Sequence, residues 1–152
     1  MKKQILIIIA AFMAMTLFNT QVKAQVGKVI GVWKTIDDET GEAKSYVKII
    51  KSKTSGKYFG QITKLLQKPA DTKCDKCKGK YKDKKIVGMV ILINMKEGGD
   101  GLKGGKILDP NNGKFYHCSM ELDKKDKNKL NVRGSLDSWG LAGRTQVWYR
   151  LK

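Results

Sequence analysis

The sequence predicts an all-β chain of about eight antiparallel strands in up-and-down order. Three observations lead there. Short apolar runs, several alternating with period two, are separated by turn-forming clusters at intervals of roughly eight to twelve residues. No amphipathic helix of useful length follows the amino-terminal segment. Eight antiparallel strands in a chain of this size suit a closed barrel, which removes exposed edges and can hold one small ligand. A two-sheet sandwich is the alternative.

The chain opens with "MKKQILIIIAAFMAMTLFNTQVKAQ", which has a secretory layout. Lys2 and Lys3 give the positive start, Ile5 to Phe18 an apolar run broken only by Thr16, and Val22-Lys23-Ala24 a small-residue cleavage pattern. Residues 1–24 are therefore expected to be a cleaved signal peptide, and residues 25–152 a single domain. The apolar run falls short of the roughly 18 to 20 residues that span a bilayer, and nothing later is long and apolar enough to do so. Protein export follows, with a periplasmic or extracellular destination.

The formal charge is +17; the leader holds three lysines and no acid, so +14 remains after cleavage. The excess is almost all lysine, a solvated point charge and not a bidentate fork, and no aromatic-interleaved basic segment appears. Nucleic acid is thus not the expected partner; an anionic envelope surface or an acidic protein suits this charge better.

The strands follow in order. "KVIGVWKTI" ends in the turn "DDETG", and "AKSYVKII" places Ala43, Ser45, Val47 and Ile49 on one face. After "KSKTSG" comes "KYFGQITKLL", then a long stretch, Gln67 to Lys85, without apolar periodicity. "KIVGMVILIN" is nearly continuous in apolar residues and reads as a strand covered on both faces. "LKGGKILD" and "KFYHCSMEL" flank "PNNG", where Asn112-Gly113 signals a hairpin. "KFYHCSMEL" puts Tyr116, Cys118, Met120 and Leu122 on one face. "LNVRGSL", the connection "DSWGLAG" and "RTQVWYRLK" complete the set.

The first and last strands carry a resemblance. Gly31-x-Trp33 opens the domain and an Arg- and Trp-containing strand closes it, as in lipocalins and related calycins, where the early Trp packs near a late Arg. Arg144 and Arg150 are the late arginines here. More specifically, the ordered series "GVWKT", Tyr58 and Gly60 of "GKYFGQI", "CDKCKG", "IVGMVIL", "GGKILDPNNGKFY", "LNVRG" and "GRTQVWYR" resembles the secreted bacterial family DUF2147 over almost the whole mature chain. The chain departs from that family in having Leu102-Lys103 before Gly104-Gly105, where an aromatic is usual. The resemblance implies a lipocalin-like barrel and an export signal; it implies no known activity.

Cys74 and Cys77, in "DTKCDKCKGK", are the first chemical candidates. In an exported chain they are expected to form a local disulfide, stabilising by ~2 kcal/mol at most before strain is subtracted. A redox pair, a metal clip and free thiols are the weaker readings. A redox pair would want a helix N-terminus; zinc would want about four ligands, and His117 and Cys118 leave opposite faces of one strand. Cys118 follows the apolar alternation and reads as a buried small hydrophobe. No nucleophile elbow, paired carboxylates or phosphate loop appears, so an enzyme is not expected and no cofactor or metal is implied.

On the last strand Arg144, Gln146, Trp148 and Arg150 share one face. If that face points inward, Trp148 and the arginines could hold an anionic head group, with Trp33 nearby. The favoured reading is instead that one Arg stacks on Trp33 and seals the barrel end, a contact worth ~1 kcal/mol. The leading functional expectation is a non-enzymatic barrel binding a small apolar or anionic ligand through Trp33, Arg144, Gln146, Trp148 and Arg150. A second is an interaction module using Lys73, Lys76, Lys78 and Lys80, within the Lys64–Lys85 span of nine lysines and three acids. A third is thiol redox chemistry at Cys74 and Cys77.

Overall fold

A computed structural model describes residues 26–151; the expected signal peptide lies outside them. The strands are β1 (Gly31–Ile36), β2 (Ala43–Lys51), β3 (Tyr58–Leu65), β4 (Val90–Gly98), β5 (Gly101–Asp109), β6 (Lys114–Leu122), β7 (Lys129–Ser135) and β8 (Gly143–Arg150). Each pairs antiparallel with its sequence neighbour, and β8 returns to β1, closing an up-and-down barrel. The sandwich alternative is thereby replaced: a sandwich would leave β1 and β8 as edges, whereas here Trp33 pairs with Arg150 and Lys34 with Tyr149.

Alternation decides which side chains enter the core. On β2, Ser45, Val47 and Ile49 are buried; on β6, Cys118, Met120 and Leu122; on β7, Leu130, Val132 and Ser135. On β4 both Ile91 and Leu92 are buried, as expected for a strand covered on two faces. β4 starts later than its apolar run. Ile86 and Met89 are buried in the preceding loop, where Met89 N–H donates to Ile86 O and its own carbonyl accepts from Ile62 N–H.

The turns are built by side chains that mimic backbone partners. Asp37 Oδ1 accepts from the N–H groups of Glu39 (3.1 Å) and Thr40 (2.9 Å) in the β1–β2 turn. Asp109 Oδ1 accepts from Asn111 N–H in the β5–β6 turn. Only Gly113 takes a positive φ there (+71°). Asn112 uses its side chain instead, donating to Asp109 and Tyr116 and accepting from Lys114 N–H.

In up-and-down order the β1–β2, β3–β4, β5–β6 and β7–β8 connections share one end of the barrel. The opposite end carries the amino-terminal segment, where Val26 and Val29 are buried. Among the described residues no helix is long and apolar enough to cross a membrane.

Candidate functional site

The two ends differ in chemistry. At the amino-terminal end Trp33 is fully buried and its indole N–H donates to Val29 O at 2.8 Å. The Arg150 guanidinium lies over the Trp33 ring, 4.2 Å from its centre, and donates to the carbonyls of Ile30 and Lys28. Gly31 makes room for it. Its φ is +140°, and a Cβ there would stand 2.8 Å from Arg150 Nη1. The G-x-W motif is therefore a sealing device: glycine admits the guanidinium, and tryptophan receives it.

The other end opens into a cavity of about 540 Å³. Its apolar wall comes from Ile62, Ile91, Ile107, Leu108, Val132 and Trp148. Thr35, Ser45, Tyr116 and Gln146 add polar groups, and Asp37, Lys44, Lys114 and Arg144 stand among the residues around it. The face of β8 carrying Arg144, Gln146 and Trp148 thus lines the cavity. Trp33 and Arg150 are not among the lining residues; they close the far end.

The polar groups of the wall have partners inside the protein. Thr35 Oγ1 and Ser45 Oγ are 2.9 Å apart, and Ser45 N–H donates to Thr35 Oγ1. Trp148 Nε1–H donates to Gln146 Oε1 (3.3 Å), and Gln146 Nε2–H to Asp38 Oδ1 (2.9 Å). Arg144 pairs with Asp38 at 3.7 Å and donates to Glu39. A relay of side chains therefore runs from the cavity wall to the β1–β2 turn. Sequence reasoning placed Asp38 and Glu39 in a turn and missed their partners, which lie more than 100 residues away in the chain. Among the described residues no buried side-chain nitrogen or oxygen lacks a partner.

Cys74 and Cys77 lie with their Sγ atoms at bonding distance, 2.02 Å, in the β3–β4 loop. Both are buried, at 0% and 2% exposure. The loop sits tightly on the β5–β6 turn: a Cβ on Gly113 would come within 2.0 Å of Lys76 O. Lys68 donates to Asn111, and the Tyr81 and Phe115 rings meet edge-on with centres 5.5 Å apart. Lys73, Lys76, Lys78 and Lys80 all face solvent from it. Cys118 is a free thiol buried in the core, and burial pushes its pKa up to about 12; His117 lies on the outward face. No group of three or more His, Cys, Asp or Glu side chains among the described residues is placed to hold a metal.

An eight-stranded up-and-down barrel, sealed at one end by a Trp–Arg stack and open at the other, defines a lipocalin-like protein. The chain belongs to the DUF2147 family, whose model, described as "Uncharacterized protein conserved in bacteria", matches residues 31–150. Among solved structures it is similar to HP1028 from the human pathogen Helicobacter pylori, described as belonging to the lipocalin family. The identity is 25% and the TM-score 0.69, over 81% of this chain and 82% of that one. No curated protein matches the chain.

Proposed function

We propose that this is an exported, non-catalytic barrel whose open cavity holds a small, mainly apolar ligand, with Trp148, Gln146 and Arg144 on the binding wall. The carrying observation is a cavity of about 540 Å³ whose wall is mainly apolar and whose Thr35, Ser45 and Gln146 side chains are hydrogen-bonded within the protein. Cavities of this size suit small molecules, since ligand pockets run from roughly 300 to 1,000 Å³. An apolar ligand would gain burial without stranding a donor or acceptor. An anionic ligand that used Arg144 would have to draw it away from Asp38 and Glu39; Lys114 is the other lining cation that could meet one, and the mainly apolar wall favours the apolar reading. Trp33 and Arg150 serve this function by sealing the far end and not by contact.

The likeness to a protein described as a lipocalin supports the same reading. The burial of Cys74 and Cys77 favours a structural role for the pair over thiol exchange, because a partner thiolate would have to reach a covered sulfur. The test fills the cavity. A medium-chain fatty alcohol or a fluorescent apolar dye should bind the parent protein and quench or shift Trp148 emission. Val132→Phe, which places a ring in the void, should weaken that binding at least about tenfold while leaving the melting temperature within a few degrees. Undiminished binding in a folded Val132→Phe protein would remove the cavity as the site. Native mass spectrometry of protein from its own host would identify what is carried.

A further inference from the structure

We propose that the β7–β8 loop is a docking tip that seats the open end of the barrel on an anionic lipid surface. Within this short loop Leu136 is 72% exposed, Trp139 87% and Leu141 83%. The other large apolar side chains that reach solvent (Ile30, Ile50, Phe115, Tyr149 and Leu151) expose only 39–47%. Three such residues in one loop are a concentrated apolar display, and displays of this kind mark interaction sites.

The display is held in place. The Asp137 carboxylate accepts from Leu141 N–H (3.0 Å) and Ala142 N–H (2.6 Å), and Leu136 N–H donates to Ala142 O (2.8 Å). From the neighbouring strand, Arg133 donates to the carbonyls of Gly140 (2.8 Å) and Leu141 (3.2 Å). The loop backbone is thus fixed with its apolar side chains outward, where a slack loop would fold them onto the barrel.

Composition and charge select the partner. Tryptophan with leucine is the pairing of the membrane–water interface, the indole lying at head-group level and the aliphatic chains deeper. Such a tip is weak alone and needs a second, electrostatic contribution. The β3–β4 loop at the same end supplies it, with Lys73, Lys76, Lys78 and Lys80 exposed on a segment stapled to the β5–β6 turn. The acids of the β1–β2 turn oppose an anionic surface less than their number suggests, because Asp37 and Glu42 pair with Lys44, and Asp38 and Glu39 with Arg144. The cavity opens between these loops, and Leu136 lines it, so an apolar ligand could pass between bilayer and barrel without crossing water.

Vesicle flotation tests this on the product exported by an expressing host, its amino terminus defined by mass. Vesicles of phosphatidylcholine alone are compared with vesicles holding about a third phosphatidylglycerol. Binding should be at least about tenfold tighter to the anionic vesicles and should fall with salt. Trp33 and Trp148 are buried, so a blue shift on binding reports Trp139. The variant Leu136→Ser/Trp139→Ser/Leu141→Ser should lose at least about tenfold in affinity with an unchanged melting temperature. Lys73→Glu/Lys76→Glu/Lys78→Glu/Lys80→Glu should lose the preference for anionic vesicles. Equal vesicle binding by the triple-serine variant overturns the proposal, as does capture of a protein partner with no vesicle binding by the parent. The readout needs no ligand in the cavity, so it succeeds or fails separately from the cavity reading.

Discussion

Two arginines on one face of β8 have opposite employments. Arg150 is wedged over Trp33 and donates to two backbone carbonyls of the amino-terminal segment. Arg144 stands in the open, paired with the carboxylates of Asp38 and Glu39. A planar guanidinium can stack and donate at once, whereas a lysine ammonium offers only a point charge on a flexible stem. Arg150→Lys should therefore cost about 1–2 kcal/mol, through the lost stack and at least one lost hydrogen bond. Arg144→Lys should stay within about 0.5 kcal/mol, because exposed pairs contribute little. Urea denaturation of the two variants checks the contrast; equal losses would mean that the Trp33–Arg150 stack does not hold the barrel end. Cys118 shows the same dependence on place: a thiol pushed up to about 12 by burial is an inert piece of core at neutral pH.

At the level of the element, the β7–β8 loop depends on one carboxylate. Hydrogen bonds from Ala142 and Leu141 N–H hold the Asp137 pKa below its ordinary 3.8. A carboxylate whose folded pKa is depressed contributes order that is fully present above the unfolded value and is lost as pH falls through the folded one. Order in this loop should therefore be flat from pH 7 to pH 5 and decline only below about 3.8. NMR relaxation of the Trp139 indole N–H follows it directly. Asp137→Asn keeps one acceptor of two, so its indole should be more mobile at pH 7 and should lack the acid step. An acid step of the same size in Asp137→Asn would assign it to another group.

Elements of this kind were unevenly legible in the sequence. The strand β6 was readable to the residue, and the residues sharing the buried faces of β2 and β6 followed from alternation, because a half-buried strand repeats every two residues. The start of β4 was not, since Ile86 and Met89 are apolar for a different reason, as anchors of the loop before it. The seal at Trp33 was legible through the G-x-W motif, though which arginine closed it was not. The cavity wall at Gln146 and Trp148 depended on which face of β8 turned inward, which alternation alone leaves undecided. The latch at Asp38 and Glu39 joins residues distant in the chain, so a local reading saw only a turn. The exposed apolar loop was visible as "DSWGLAG", but its exposure is a property of where Asp137 and Arg133 hold it.

For the whole molecule, closure is unequal along its height. β1 and β8 are in register only at Trp33–Arg150 and Lys34–Tyr149, both near the sealed end. By contrast β7 and β8 share seven registered positions, Lys129–Tyr149 through Ser135–Gly143. Toward the mouth the β1–β8 seam is held by side chains, Gln146 to Asp38 and Arg144 to Asp38 and Glu39. Such contacts are solvent-exposed and screened by salt, so together they contribute little to global stability, on the order of 1 kcal/mol. Their effect should fall on local opening, because a seam without a ladder separates without unfolding the other seven strand pairings. Asp38→Ala/Glu39→Ala should leave the urea midpoint nearly unchanged and speed hydrogen exchange of the Trp148 indole N–H several-fold, because its acceptor Gln146 is held by Asp38. Exchange at Leu130 and Val132, on the intact β7 ladder, should not move. The same variant should release a cavity-bound dye faster in stopped flow with little change in its association rate. If exchange of the Trp148 indole N–H is unaltered, the carboxylate latch does not hold the mouth side of the seam; faster exchange there, with Leu130 and Val132 unmoved, places the entrance of the cavity at the β1–β8 junction.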